Sequence, residues 1–207
     1  MDAAVYGARA AYIGGADSTA TVLAGQMFNI PVSGTMAHSW VMYYDDEYTA
    51  FKRFAEIYPD NAILLVDTYD VLDSGVPNAI RVAKEVLEPM GKRLKGIRID
   101  SGDLAYLSKK ARKMLDDAGL TDAIIVMSNS LDEYTISSIL EQGGCVDSFG
   151  VGERLITAKS DPASGLCTNW WPSTKTKPSS QNQDFRDFEK ITNRDGNGPG
   201  ECMTKPA

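Results

Sequence analysis

A single histidine, His38, sits in the stretch Gly34-Thr35-Met36-Ala37-His38-Ser39. Imidazole suits both proton transfer and nucleophilic attack near neutral pH. A lone histidine is also commonly a surface or hydrogen-bonded structural residue. With no second histidine and no cysteine motif, no histidine-based metal site is expected. Asp100-Ser101-Gly102-Asp103 places two carboxylates around a turn just after Arg98. Such a turn can receive ribose hydroxyls or hold magnesium through a phosphate, with Arg98 making a charge-assisted anion contact. The structural alternative is an N-cap for a helix starting at Leu104. An arginine closing an apolar strand is costly unless partnered, which favours function. Gly150-Val151-Gly152 is either a tight turn or a place where backbone N–H groups approach a phosphate. Asp67 and Asp70 read as capping or solvated carboxylates.

These groups share a position relative to the elements that carry them. Short apolar runs occur at Ile30–Ser33, Ala62–Val66, Gly96–Ile99, Ala123–Met127 and Val146–Phe149. Helix-like periodicity lies between them over Trp40–Tyr58, Ala79–Leu87, Leu104–Ala118 and Asp132–Gln142, and before them over Ala8–Ile13 and Thr19–Phe28. Gly75–Asn78 reads as a loop leading into a helix. Strands alternating with helices predict a parallel sheet, either doubly wound or closed into a barrel. Both arrangements gather function at the C-terminal ends of the strands. Five successive strand ends deliver Gly34–Ser39, Asp67–Asp70, Arg98–Asp103, Ser128–Ser130 and Gly150–Arg154 to one side.

Composition narrows the partners. The 207 residues suffice for one domain with a sizeable core, and the net charge of -7 disfavours nucleic acid or an anionic membrane as a partner. No apolar run is long enough to span a bilayer, and no basic-then-apolar start marks a signal peptide. Cys145, Cys167 and Cys202 are scattered, which fits a reducing cytoplasm and sets neither a zinc cluster nor a disulfide framework. Beyond about Asp161 the periodicity stops, and Cys167–Gln183 and Arg194–Ala207 are polar or Gly- and Pro-rich.

Several long motifs carry a family resemblance. GTMAHSWV (Gly34–Val41), LLVDTYDVLDSGVPNAI (Leu64–Ile80), GIRIDSGDLAYLSKKARKMLD (Gly96–Asp116), SNSLDE (Ser128–Glu133) and FGVGERLIT (Phe149–Thr157) resemble bacterial nicotinate phosphoribosyltransferase. So does DAAVYGARAAYIGG (Asp2–Gly15). The resemblance covers roughly residues 2–165. It implies a partial, irregular TIM-like α/β barrel of the type II phosphoribosyltransferase kind over 1–165, with N- and C-terminal parts missing. It also implies a cytoplasmic homodimer for the intact family member, acting in NAD salvage. The implied reaction joins nicotinate to phosphoribosyl pyrophosphate. ATP hydrolysis is coupled to it through a phosphorylated histidine, and magnesium enters with the pyrophosphate or ATP. By motif position, His38 matches the phosphoacceptor, and Thr35 and Arg98 match nicotinate contacts. Asp100, Ser101, Gly102, Asp103, Asn129, Gly150 and Gly152 match the phosphoribosyl pyrophosphate region. No resident metal site is implied.

The chain departs from the family pattern at two of these motifs. Ser130 stands where the family reads Asp (SNDLDE), and Glu153 stands where it reads Thr (GVGTRL). A carboxylate beside a bound phosphate is repulsive. Residues 166–207 read as an irregular tail, disordered or frameshifted. Codons for Leu166–Lys177 read one base earlier can encode a family-like continuation, and the coding DNA decides this. Two alternatives to the phosphoribosyltransferase reading are a non-catalytic phosphate-binding fragment and a related nicotinamide or quinolinate enzyme.

Overall fold

The computed structural model describes residues 2–157 and the backbone of residues 189–192. Four strands form the parallel centre: β2 (Ile63–Leu65), β3 (Gly96–Ile99), β4 (Ile124–Met127) and β5 (Ser148–Val151). Their residues are almost all buried, as a parallel sheet covered on both faces requires. The six-stranded order is β1-β6-β5-β4-β3-β2, where β1 is Ser18–Thr19 and β6, Glu189–Thr192, runs antiparallel to both its neighbours. The expected α/β class with a parallel sheet is therefore present. Within the span read as an irregular tail, Glu189–Thr192 is a strand, and the other residues of 166–207 lie outside the described residues.

From α1 (Asp2–Gly14) and α2 (Val22–Phe28) onward, the longer helices turn one face inward. In α6 (Leu104–Asp117) the residues Leu104, Ala105, Ser108, Ala111, Arg112 and Leu115 turn inward at helical spacing. Buried Arg112 donates to the carbonyls of Ala123 (2.6 Å) and Leu120 (2.8 Å), which ties the α6–β4 connection to the helix. The core joins Leu64, Ile97, Ile125, Met127 and Phe149 of the sheet to Val76, Val82 and Leu115 of the helices.

Three sequence expectations are corrected. Ile30–Ser33 is no strand; it makes one bridge, Val32 to Thr19, because Pro31 has no N–H to extend the ladder. Trp40–Tyr58 is two helices, α3 (His38–Tyr43) and α4 (Glu47–Ile57). Asp46 divides them, its carboxylate capping the Thr49 N–H at 2.8 Å. Gly75–Asn78 is helical rather than a loop. A π turn over Val71–Gly75 leads into α5 (Val76–Val82), with Asp70 capping its start through Leu72 and Asp73. A wide turn accommodates Pro77, which cannot donate to the preceding turn.

Two glycines decide how tightly these elements approach. A Cβ on Gly75 would lie 1.9 Å from the Val66 carbonyl oxygen, and one on Gly96 would lie 2.3 Å from that of Ile124. Gly75 thus lets the π turn press against the C-terminal end of β2, directly before Asp67.

Candidate functional site

The site lies at the C-terminal ends of β2, β3 and β4, where the segment carrying Thr35 and His38 folds over them. Asp67 follows β2, and its side chain is fully buried while that of His38 is 39% exposed. His38 Nε2 lies 3.1 Å from Asp67 Oδ1. The other Asp67 oxygen accepts from the Asp100 N–H (3.0 Å) and the Ser101 hydroxyl (2.7 Å). Burial pushes the Asp67 carboxyl up. The hydrogen bonds from His38 and Ser101, the charge of His38 and the Asp100 N–H outweigh that, so the carboxyl titrates below its ordinary value. An ionised carboxylate only accepts, so Nε2 of His38 bears the hydrogen that faces Asp67, and in the neutral imidazole Nδ1 holds the lone pair.

A second chain of contacts runs through Arg98. It is buried in β3 and donates from Nε to Ser128 Oγ (2.8 Å) and from Nη1 to Thr35 Oγ1 (3.0 Å). Its Nη2 lies 3.3 Å from Asp100 Oδ2. Ser128, fully buried after β4, donates to Asp100 Oδ1 at 2.5 Å. The buried cation is thus held by the ends of β3 and β4 and by the Thr35 segment. Asp100 belongs to both chains of contacts, through its N–H to Asp67 and its carboxylate to Arg98 and Ser128.

The remaining predicted residues fall into two groups. Gly102, Asp103 and Asn129 line an open cleft of about 460 Å³ at the start of α6, with Leu104, Tyr134 and Ile139. Asp103 also caps α6 through the Tyr106 N–H at 3.0 Å, so the capping alternative holds for that carboxylate. Asn129 and Ser130 adopt φ of 105° and 46°, a left-handed turn that bends the chain sharply out of β4. Gly150 is not beyond the strand as expected. It is buried within β5, which extends to Val151, and Gly152 alone of the pair follows it. Glu153 opens the short helix α8 (Glu153–Ile156) and is exposed.

Across the strand ends, Arg154 donates to Asp132 at 2.5 Å. Asp132 caps α7 (Glu133–Glu141). Hydrogen bonds from the Thr135 side chain and N–H, then from Arg154, hold its carboxyl well below the ordinary carboxylate range. This pair ties the turn after β5 to the turn after β4.

Sequence reading placed Asp67 and Ser128 at strand ends but gave neither a role in the site, and read Asp67 as a capping or solvated carboxylate. Both stand immediately after strands, and that position is the signal that marks them. Among the described residues, no cluster of three or more potential ligands could hold a metal ion.

Comparison with known proteins agrees with this architecture. Residues 9–166 match the model of the nicotinate phosphoribosyltransferase (NAPRTase) family. The chain is 61% identical over 167 residues to a nicotinate phosphoribosyltransferase of Bacillus subtilis, covering 80% of this chain and 33% of that protein. It is 45% identical over 164 residues to nicotinate phosphoribosyltransferase pncB2 of Mycobacterium tuberculosis, covering 78% and 34%. The chain thus spans about a third of the length of these curated relatives. A solved nicotinate-nucleotide pyrophosphorylase from Pyrococcus furiosus superposes with a TM-score of 0.58 at 30% identity, over 72% of this chain and 37% of that one. A nicotinate phosphoribosyltransferase from Porphyromonas gingivalis shares the fold at a TM-score of 0.53 and 22% identity, over 68% and 38%.

Proposed function

This chain belongs to the nicotinate phosphoribosyltransferase family, and from that premise we propose that its strand-end network forms part of a site joining nicotinate to phosphoribosyl pyrophosphate. The sheet is read as a segment of an irregular type II α/β barrel over residues 1–165, cytoplasmic and homodimeric in the intact enzyme. The observation that carries the functional reading is the pair of linked networks, His38–Asp67–Ser101 and Thr35–Arg98–Ser128–Asp100, gathered at adjacent strand ends.

The residues then take distinct tasks. Arg98 and Thr35 orient the nicotinate carboxylate, since a guanidinium fork suits a planar anion. The pyridine nitrogen attacks the ribose C1 as pyrophosphate leaves, and nearby carboxylates favour the positive charge that builds there. Asp100 and Ser101 face the ribose, while Gly102, Asp103 and Asn129 face the pyrophosphate, with Gly152 beyond β5. Magnesium commonly binds through one or two carboxylates plus substrate phosphates, and would arrive with the pyrophosphate or ATP. Asp100 and Asp103 are the carboxylates that would meet it, and when bound it neutralises the departing phosphates. His38 Nδ1 attacks the terminal phosphorus of ATP, the bond to ADP breaks, and Asp67 keeps the proton on Nε2.

Glu153 and Ser130 favour a second reading, a chain that binds the phosphates without turnover. Incubation with terminally labelled ATP separates the two. Acid-labile label that disappears in His38→Ala supports the transferase. Absence of label together with saturable binding of phosphoribosyl pyrophosphate supports the binding fragment.

A further inference from the structure

We propose that Asp100 is a built-in competitor for the substrate carboxylate at Arg98, so that nicotinate binds well only after phosphoribosyl pyrophosphate and magnesium have drawn Asp100 away. The inference rests on the transferase reading and adds an order of binding to it. Arg98 reaches Ser128, Thr35 and Asp100, and the ion pair with Asp100, at 3.3 Å, is the longest of these contacts. Asp100 is also the more open member of that pair, its side chain 19% exposed against 8% for Arg98. A carboxylate approaching the Nη edge of Arg98 therefore meets the carboxylate of Asp100.

Charge makes this competition strong. Of the two groups paired with Asp67 and Asp100, His38 and Arg98, only Arg98 is a permanent cation, in a site where screening by salt is weak. A third carboxylate enters at a cost until Asp100 leaves or a cation arrives. The backbone lets the Asp100 side chain move without unfolding the turn. Its N–H is anchored on Asp67, and among the described residues its carboxylate is held only by Arg98 and by the Ser128 hydroxyl. Ribose hydroxyls and magnesium are the groups that can attract that carboxylate outward. Linkage then requires nicotinate to tighten phosphoribosyl pyrophosphate by the same factor.

Calorimetry on the full chain tests this with benzoate, which keeps the ring and carboxylate of nicotinate and lacks the nucleophilic nitrogen, so nothing turns over. Saturating magnesium and phosphoribosyl pyrophosphate is expected to tighten benzoate by about 10-fold or more, within the usual range of coupling between sites. Asp100→Asn is expected to tighten benzoate alone by a similar factor and to reduce the coupling to less than about 3-fold. Benzamide, having no charge, should change by less than about 3-fold in each comparison. The proposal is overturned if both ligands bind the wild-type chain independently, or if Asp100→Asn folds and leaves benzoate unchanged or weaker. If the variant does not fold, the wild-type comparison decides alone. Absence of binding of both ligands to the wild-type chain overturns the transferase reading itself, and the inference with it.

Discussion

Replacing Asp67 with asparagine tests the pairing on which the chemistry of His38 depends. Three donors converge on this buried carboxylate: His38 Nε2 at 3.1 Å, the Asp100 N–H at 3.0 Å and Ser101 Oγ at 2.7 Å. A carboxamide accepts at one oxygen and donates from its nitrogen. If the oxygen keeps Asp100 and Ser101, the NH₂ faces the imidazole and forces Nε2 to accept. His38 then carries its proton on Nδ1, and the nucleophilic lone pair is lost. Hydrogen bonds to a charged group contribute about 1.5–3 kcal/mol each and neutral ones about 1, so making all three neutral should cost about 2–4 kcal/mol of stability. Label transfer from ATP should fall by about 10²–10⁴-fold, as when other histidine bases are left in the wrong tautomer. Because the chain has a single histidine, its ¹⁵N–¹H long-range spectrum reports His38 without assignment. The expected result is an Nε2–H tautomer in the wild type and Nδ1–H in the folded Asp67→Asn variant. A wild-type Nδ1–H tautomer, or an unchanged tautomer and unchanged labelling in the variant, would refute the reasoning.

Three further outcomes are expected. Gly75→Ala should destabilise the chain by about 2 kcal/mol or more in urea unfolding, because its Cβ would lie 1.9 Å from the Val66 carbonyl oxygen; it should also disturb the His38 resonance, since Asp67 follows Val66. Ser130→Gly should stabilise by roughly 0.5 kcal/mol, the relief of a left-handed serine at φ 46° slightly exceeding the entropy cost of glycine; a loss of stability would mean that the serine hydroxyl holds the turn. Stability should fall as pH drops below about 4, where carboxylates in the unfolded chain begin to bind protons. The Asp67 carboxyl titrates lower when folded, so its contribution is fully present above the unfolded value of 3.8 and is lost as pH falls through the folded one. Acid titration of Asp67→Asn should therefore show a shallower loss than the wild type.

Much of the site was legible without coordinates because strand ends can be counted along the chain. Arg98, Asp100 and Ser101 were reached by following apolar runs to their last residue, Thr35 and His38 by motif after a run that forms no strand, and all five meet in one pair of networks. Where local signals misled, a tertiary contact outweighed them. Gly75 and Pro77 look like a loop, yet packing against Val66 carries a helix through them with a widened turn. Gly150 looks like the start of a phosphate turn, yet pairing with β6 extends β5 through it.

The class of fold and the family were settled by the sequence, because burial on both faces of a parallel sheet writes short apolar runs at regular spacing and the motifs sit at their ends. Which oxygen meets which nitrogen was decided only in three dimensions. Asp67 is 29 residues from His38 and 34 from Ser101, and its carboxylate looks like an ordinary cap until the strands bring those donors around it. The same holds for Arg98, whose partners Thr35 and Ser128 lie 63 and 30 residues away in sequence. Such contacts join different strand ends, so periodicity within any one segment contains no record of them.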